Sequence, residues 1–343
     1  MRQVGLMTSL SISSFTSLIK AAPMSAGKSD ASCATSQPAT SSQVASSSST
    51  EGENRPRAVV LMCLSAISFA LMGAMVKLSG DLPLFEKVFV RNLVSLVVAV
   101  VMVRMAGARL LGHWHHQPLL LARSLIGLGG VMSFFYAIDH LLLADATILN
   151  KLSPFFVMLF AGMFLAERLG GWRLVGMLIA FVGATLVIKP QLAFAEGGVE
   201  ALFPALVGLG SAMLAGAAYT LIRALGGREA SATIVLHFSL VSSIVTLVPM
   251  LMNPVMPSAP QALALLGIGV FAAGGQILMT TAYRLAPAGE VSIYSYLTIV
   301  FSALAGWAIW GEVPDAASLM GFLLIAGVAL VGWHASRVAV RVV

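Results

Sequence analysis

The chain has 343 residues, of which 58% are hydrophobic and only 10% charged. A soluble domain averages about 25% charged residues, so this composition excludes an ordinary water-exposed surface and predicts a protein embedded in lipid. The formal net charge is +6, but the basic residues are scattered singly, which argues against a nucleic-acid partner. Two cysteines, Cys33 and Cys63, cannot build a disulfide framework.

Residues 1–54 differ from the rest of the chain. The stretch from Ser25 to Thr50 is rich in Ser and Ala and lacks an apolar period, so we predict a disordered tail over 1–54. Residues 1–24 are mildly apolar without a clean cleavage site, so no signal peptide is predicted. They are interpreted as a weak targeting signal, a non-functional extension, or the result of a start codon placed too far upstream.

Apolar runs follow one another from Arg57 onward, each close to the 20 or so residues that span a bilayer as a helix. Helices three and four are hard to separate, so the count is ten, give or take one. The predicted spans are 58–78, 84–105, 118–139, 144–165, 171–189, 202–223, 231–252, 260–282, 288–310 and 316–335.

Loop charges predict the orientation, because Lys and Arg favour cytoplasmic loops. With residue 57 in the cytoplasm, only Lys77, Lys87 and Lys189 fall outside. The cytoplasmic side then holds Arg55, Arg57, Arg104, Arg109, Arg123, Arg168, Arg173, Arg223, Arg228, Arg284, Arg337 and Arg341. This bias supports an even helix count and predicts that both termini are cytoplasmic.

The chain also resembles itself at a shift of about 145 residues, which indicates an internal repeat. Glu167 falls on Glu312, and near the start of each half a shift of 146 places Ser65 on Ser211. In the same way Gly129 and Gly130 fall on Gly274 and Gly275, and Asp145 on Glu290. Two repeats, 57–190 and 200–337, therefore hold five helices each. An odd number inverts the second repeat relative to the first, as in many secondary transporters.

The ends of the two halves carry a family resemblance. Residues 136–190 and 282–332 each combine a short apolar loop, a helix with a central Pro or polar kink, a Glu at its end and a Gly-spaced final helix. Both resemble the EamA-type repeat of the drug/metabolite transporter superfamily. This resemblance implies ten helices, cytoplasmic termini and transport of amino acids, metabolites, nucleotide-linked compounds or drugs. One departure is Ile299 at the position of Pro154, so a kink in helix nine has no proline to cause it.

Ionisable side chains inside a membrane are costly and usually functional. Arg91 and Lys151 lie about seven or eight residues into helices two and four, roughly 10–12 Å deep at 1.5 Å per residue. The repeat maps Lys151 to Tyr296 and Arg91 to the neighbour of His237, so polar groups of both halves converge. The candidate substrate-binding residues are Arg91, Asn150, Lys151, His237, Tyr294, Tyr296, Tyr136 and Gln276. The alternative is that Arg91 and Lys151 extend outward to lipid headgroups.

Other features have mainly structural interpretations. Pro154 leaves the carbonyl of Asn150 without its helical donor, which means either a binding group or an ordinary kink. Glu167 and Glu312 are expected to cap a helix or to pair with an arginine, and the paired glycines to allow close helix packing. The loop histidines 113, 115 and 116 match no standard metal spacing, so no metal site is predicted there.

The sequence therefore predicts an all-α membrane protein that carries a small polar metabolite, an amino acid or a related anionic or zwitterionic solute, by alternating access. Export is favoured. The alternative is uptake or exchange of a larger metabolite such as S-adenosylmethionine or a nucleotide-linked compound. A membrane enzyme or a sensor is disfavoured, since no nucleophile–base pair or metal cluster falls within the spans. The expected partners are the solute and the bilayer, and the expected location is a bacterial inner membrane. No cofactor is predicted, and homodimerisation is left open.

Overall fold

The computed structural model describes residues 42–164, 171–188, 198–225, 228–285 and 292–341, and within these ranges the secondary structure is helical. Two 3-10 turns, Trp114–His116 and Ser292–Tyr296, precede α3 and α10. The α-helices are α1 (Ser42–Leu78), α2 (Leu84–Met105), α3 (Gln117–His140), α4 (Leu143–Asn150), α5 (Ser153–Phe164), α6 (Gly171–Ile188), α7 (Gly198–Leu225), α8 (Ser231–Met252), α9 (Ala259–Leu285), α10 (Leu297–Trp310) and α11 (Ala316–Arg341).

These helices form ten transmembrane segments, numbered 1 to 10 in chain order, which confirms the predicted fold class. The pair α4–α5 forms segment 4, and the turn Ser292–Tyr296 with α10 forms segment 9. In the part of the chain that the structure describes, seven helices are long and apolar enough to cross a bilayer, and two shorter apolar helices fall in segments 9 and 10. The remaining segment, α6, is 18 residues long.

The first helix begins earlier than the sequence predicts. Segment 1 crosses the bilayer over Pro56–Leu78, but α1 extends back to Ser42, into the region predicted to be a disordered tail. Pro56 lies inside α1 and donates no hydrogen bond to the preceding turn. Residues 1–41, the rest of the predicted tail, lie outside the described residues.

Contacts between the segments follow the predicted inverted symmetry, in which segments 1 to 5 correspond to segments 6 to 10. Segment 3 packs on segment 6 as segment 8 packs on segment 1, and segment 4 packs on segment 6 as segment 9 packs on segment 1. Segments 2 and 7 pair with each other, as do segments 5 and 10. Every one of these pairs joins the first repeat to the second, so the two halves interlock along the whole bundle.

The paired glycines permit close approaches between segments, as predicted. A Cβ atom on Gly130 would lie 3.3 Å from the backbone nitrogen of Ala215, and one on Gly275 would lie 3.2 Å from the ring of Phe69. Ser65 Oγ donates a hydrogen bond of 2.8 Å to the carbonyl of Gly275. Small residues therefore bring segments 3 and 6, and segments 8 and 1, into backbone-level contact.

Segments 4 and 9 are both interrupted at equivalent positions. The helix of segment 4 stops at Asn150 and resumes at Ser153, because Pro154 cannot donate a helical hydrogen bond. Segment 9 changes from 3-10 to α-helix after Tyr296, which is the counterpart of Lys151. The second half thus has its own irregularity without a proline. At this point Thr298 Oγ1 donates a hydrogen bond of 2.7 Å to the carbonyl of Ser295.

Candidate functional site

A cavity of about 250 Å³ lies at the centre of the bundle, between the two repeats. Segments 1 to 4 and 6 to 9 contribute to its lining, whereas the described residues of segments 5 and 10 do not. The two outer segments pack on each other instead. This position, enclosed by the eight inner segments, is where solute sites lie in carriers built from inverted repeats.

One wall of the cavity is cationic. Arg91 of α2, Arg123 of α3 and Lys151 at the end of α4 all line it. The two guanidinium groups share one aromatic ring, since their central carbons lie 5.7 Å and 4.4 Å from the ring centroid of Phe238. A cation over an aromatic face is stabilised by the ring quadrupole. That contact offsets part of the cost of holding two positive groups together in a membrane interior.

The arginines retain unused donors. Arg91 Nη1 donates to Asn92 Oδ1 at 2.9 Å, and Asn92 in turn donates to the carbonyl of Val88. The Nε atoms of Arg91 and Arg123, and Nη1 of Arg123, are buried without a hydrogen-bond partner among the described residues. A buried donor without an acceptor costs about 1–3 kcal/mol. An anion that enters the cavity meets donors already placed to receive it.

Lys151 stands at the break in segment 4. Its backbone nitrogen still bonds the carbonyl of Thr147, but its own carbonyl no longer accepts from within the helix, because Phe155 N bonds Leu152. Tyr296 Oη lies 3.5 Å from that carbonyl. No hydrogen bond or ion pair of the Lys151 ammonium group is found within the described ranges, so the break exposes a cation to the cavity.

The opposite wall is neutral. The second repeat contributes aromatic and apolar side chains together with a few uncharged polar groups, namely Tyr219, Ser239, Gln276 and Thr298. The lining includes no Asp or Glu among the residues that the structure describes. All three cations thus belong to the first repeat, and the cavity has a charged side and an uncharged side although the backbone is nearly symmetric.

The structure brings together four of the eight residues predicted to bind substrate. Arg91, Asn150, Lys151 and Gln276 line the cavity, and Asn150 Nδ2 also donates 3.1 Å to Ser211 Oγ. Their role in binding remains a prediction, because proximity to a cavity does not by itself establish a contact with solute.

The other four lie outside the lining. His237 is buried within hydrogen-bonding distance of Ser124 and Gln117. Tyr136 stacks on His140 with 4.0 Å between ring centroids. Tyr294 packs in the apolar cluster of Ala58 and Met62, and Tyr296 reaches the carbonyl at the segment 4 break.

Sequence reasoning missed Arg123, which the charge count placed on the cytoplasmic side. The structure adds that Arg123 lines the cavity. A signal was present in the chain. The helix face of Arg123 continues with Gly127, Gly130 and Phe134, which line the same cavity. The two glycines on this face indicated that it packs towards the bundle centre.

Polar contacts join the ends of segments 1 and 9 to the start of α4. Lys77 of segment 1 forms an ion pair with Glu312, which follows segment 9, and donates 2.9 Å to the carbonyl of Leu141. Glu312 Oε2 accepts 3.0 Å from the backbone nitrogen of Leu143, the first residue of α4. Glu312 therefore caps the N-terminus of α4 rather than that of the next helix, and its charged partner is a lysine rather than an arginine. Glu167 lies outside the described residues.

Ten segments in two inverted halves around a central cationic cavity define a multi-pass membrane carrier. The model of the EamA-like transporter family matches residues 56–189 and 202–333, one match for each structural repeat. The chain belongs to this family, as its sequence predicts.

Relatives with stated functions are transporters. The pseudopaline exporter CntI of Pseudomonas aeruginosa is 37% identical over 269 residues, which cover 78% of this chain and 92% of that protein. Solute carrier family 35 member G1 of Homo sapiens is 25% identical, with 80% and 79% of the two chains covered. A solved crystal structure superposes with a TM-score of 0.60 over 84% of this chain and 99% of its own, at 20% identity, and shares the fold.

Proposed function

We propose that this protein exports a small metabolite that carries a carboxylate, an amino acid or an amino-acid derivative, through the central cavity. The observation that carries the proposal is the group of three cations, Arg91, Arg123 and Lys151, on one wall of a cavity whose described lining holds no acid. Charges in a low-dielectric site act strongly on one another. An anionic group gains the most there, and a purely cationic solute is repelled.

The uncharged wall narrows the class of solute further. Tyr219 and Gln276 offer neutral hydrogen-bonding groups, and Phe134 and Phe135 offer apolar surface. A solute with a carboxylate at one end and an apolar or neutral polar body at the other fits both walls. A solute charged along its whole length matches only one of them.

Cavity size separates this class from the larger alternatives. The volume of about 250 Å³ falls below the range of roughly 300–1,000 Å³ in which pockets for drug-sized ligands lie. This favours an amino-acid-sized solute over a nucleotide-linked compound. The cationic wall also disfavours S-adenosylmethionine, because its sulfonium adds a positive charge near the cations.

The direction of transport rests on the relative of highest identity among those described above. That protein is named as an exporter, and it aligns over nearly all of its own length. We extend export to this chain on that likeness and place it in a bacterial plasma membrane with both termini cytoplasmic.

Counterflow in proteoliposomes tests the proposal. Purified protein is reconstituted and assayed with labelled glutamate, histidine and pseudopaline, and with a neutral and a cationic amino acid for contrast. Solutes that carry a carboxylate beside an apolar or neutral polar body should give saturable counterflow. Arg123→Gln should lower the apparent affinity by about 10-fold or more, since a hydrogen bond to a charged group contributes about 1.5–3 kcal/mol. Arg104→Gln is the matched control, because Arg104 is exposed at the end of α2. Counterflow of the cationic amino acid alone would contradict the proposal.

A further inference from the structure

At the end of the bundle that carries the loops before α3 and α8, three metal-binding side chains converge. His113 and His116 lie in and beside the 3-10 turn that leads into α3, and Glu229 lies just before α8. Their ligand atoms all fall within 4.8 Å of one another. Glu229 is more than a hundred residues distant in sequence and belongs to the second repeat. The histidine spacing alone therefore gave no sign of a third ligand.

We propose that His113, His116 and Glu229 form a binding site for a borderline divalent cation such as Zn²⁺ or Ni²⁺, held between the two repeats. Two imidazole nitrogens with one carboxylate oxygen are a ligand set that such ions favour. Three protein ligands leave a position for water, so the ion is exchangeable rather than locked in a closed structural site.

The Nδ1 atoms of both imidazoles lie close to the same carboxylate oxygen, Glu229 Oε1. Nδ1 of His113 lies 2.9 Å from Glu229 Oε1, and Nδ1 of His116 lies 2.7 Å from it. In a tetrahedral site with bonds of about 2.0–2.1 Å, neighbouring ligand atoms are about 3.3 Å apart. The two Nδ1–Oε1 distances would each have to lengthen by about half an ångström to admit an ion.

Hydrogen bonding alone places more donors around Glu229 Oε1 than the oxygen has lone pairs. The backbone nitrogen of His113 also donates to Glu229 Oε1, at 2.8 Å, so three nitrogens share one oxygen that has two lone pairs. A cation relieves the crowding, because it takes lone pairs from both imidazoles and from the carboxylate. The His113 backbone N–H then remains as the one donor that orients the ligand.

Burial adds a second sign of a built site. The Glu229 side chain is 3% exposed, His116 is 19% exposed and His113 is 49% exposed. The site is thus an anionic, partly buried pocket. It is exposed to solvent at His113, and an ion can enter from that side.

Gly112 makes room for the carboxylate. A Cβ atom there would lie 2.9 Å from Glu229 Oε2 and 3.1 Å from its Cδ, and the backbone has a φ of +73°. Only glycine satisfies both demands readily. The loop that carries the two histidines is therefore shaped around the carboxylate of the other repeat.

An ion in this site would tie the loop before α3 to the loop before α8. The two repeats of a carrier move relative to each other during alternating access. Occupancy therefore cross-links the two repeats at this end of the bundle.

Metal titration of the untagged protein in detergent tests the site without reference to transport. Isothermal titration with Zn²⁺ and with Ni²⁺ should show saturable binding of one ion per chain. The variant His113→Ala/His116→Ala should bind at least about 10-fold more weakly, and Glu229→Gln likewise, because each removes a ligand. His115→Ala is the matched control, since His115 is exposed in the same turn and should bind like the wild type.

Thermal unfolding provides a second readout. The ion should raise the unfolding midpoint of the wild type and of His115→Ala, and not that of the double variant. If Glu229→Gln fails to fold, the single variant His113→Ala, whose side chain is half-exposed, still tests the site. Absence of saturable binding to the wild type, or equal weakening by His115→Ala and by the double variant, would overturn the proposal. Neither result would bear on counterflow by the central cavity.

Discussion

Two buried lysines of the first repeat should respond in opposite ways to the same substitution. Lys151 faces the central cavity, where no hydrogen bond or ion pair of its ammonium is found in the described ranges. Lys87 is 1% exposed and forms an ion pair with Asp139 at 2.8 Å, and it also donates 2.8 Å to the carbonyl of Gly80. Methionine has nearly the length of lysine without its charge, so Lys→Met at each position isolates the effect of the ammonium group.

The structure sets the expected magnitudes for stability. Lys87→Met leaves a carboxylate without its partner, and loss of one member of a buried ion pair costs about 3–5 kcal/mol. Asp139 is 22% exposed and can recruit water, so we expect about 3 kcal/mol, the lower end of that range. Lys151→Met leaves no described acceptor without a hydrogen-bond partner, and it removes a desolvated charge. The free energy of unfolding of this variant should therefore lie no more than about 0.5 kcal/mol below that of the wild type.

Transport should show the reverse order. If Lys151 contacts the carboxylate of the solute, its loss removes a charged hydrogen bond of about 1.5–3 kcal/mol. That corresponds to a rise of about 10- to 150-fold in the apparent Kd for the solute. Lys87→Met, once folded in lipid, should bind solute with nearly wild-type affinity, because Lys87 is absent from the cavity lining.

The assay combines two measurements on each variant. Unfolding in mixed micelles with increasing dodecyl sulfate, followed by circular dichroism, gives relative stability, and counterflow in proteoliposomes gives apparent affinity. Lys151→Arg should retain part of the affinity, because it keeps the charge. Equal destabilisation by Lys151→Met and Lys87→Met would refute the reasoning and make Lys151 a structural residue. Unchanged counterflow in Lys151→Met would remove it from the site.

Two further pairs of substitutions test the contacts between the repeats. Gly216→Ala should lower the free energy of unfolding by about 1–3 kcal/mol, since its Cβ would overlap that of Phe156 and lie 3.0 Å from the Phe156 carbonyl carbon. Gly210→Ala, on the same helix with nothing within 4 Å, should be neutral or stabilising by up to about 1 kcal/mol, and equal losses would contradict this packing. Glu312→Gln and Lys77→Met, measured singly and together in the same titration, should show a coupling of about 1 kcal/mol, whereas strict additivity would argue against the ion pair.

Hydropathy and repetition made the fold predictable. Each span is a local property of about 20 residues, and the coincidence of Gly129 and Gly130 with Gly274 and Gly275 revealed the two halves. The family resemblance of the segments that end in Glu167 and Glu312 added the carrier class. These features depend on residue type and spacing along one chain, and the contacts between the segments then followed the symmetry.

Only half of the site was predictable, because hydropathy does not show which side of a helix faces the cavity. A helix that is apolar all round gives no sign of which side meets its neighbours. Arg123 was therefore counted only as a charge on the cytoplasmic side, and Tyr136 and Tyr294, which were predicted to bind substrate, do not line the cavity. The depth of Arg91 and Lys151 was readable, since it depends only on distance along a helix.

The sequence by itself determined ten apolar segments, two inverted repeats and the membership of a carrier family. The tertiary structure alone decided which charges share a space. It paired Lys77 with Glu312 and gathered His113 and His116 around Glu229, because side chains far apart in sequence meet only when the two halves interlock. It also brought Arg91, Arg123 and Lys151, which all belong to the first repeat, into the lining of one cavity, so two repeats that pack in equivalent ways form an asymmetric site.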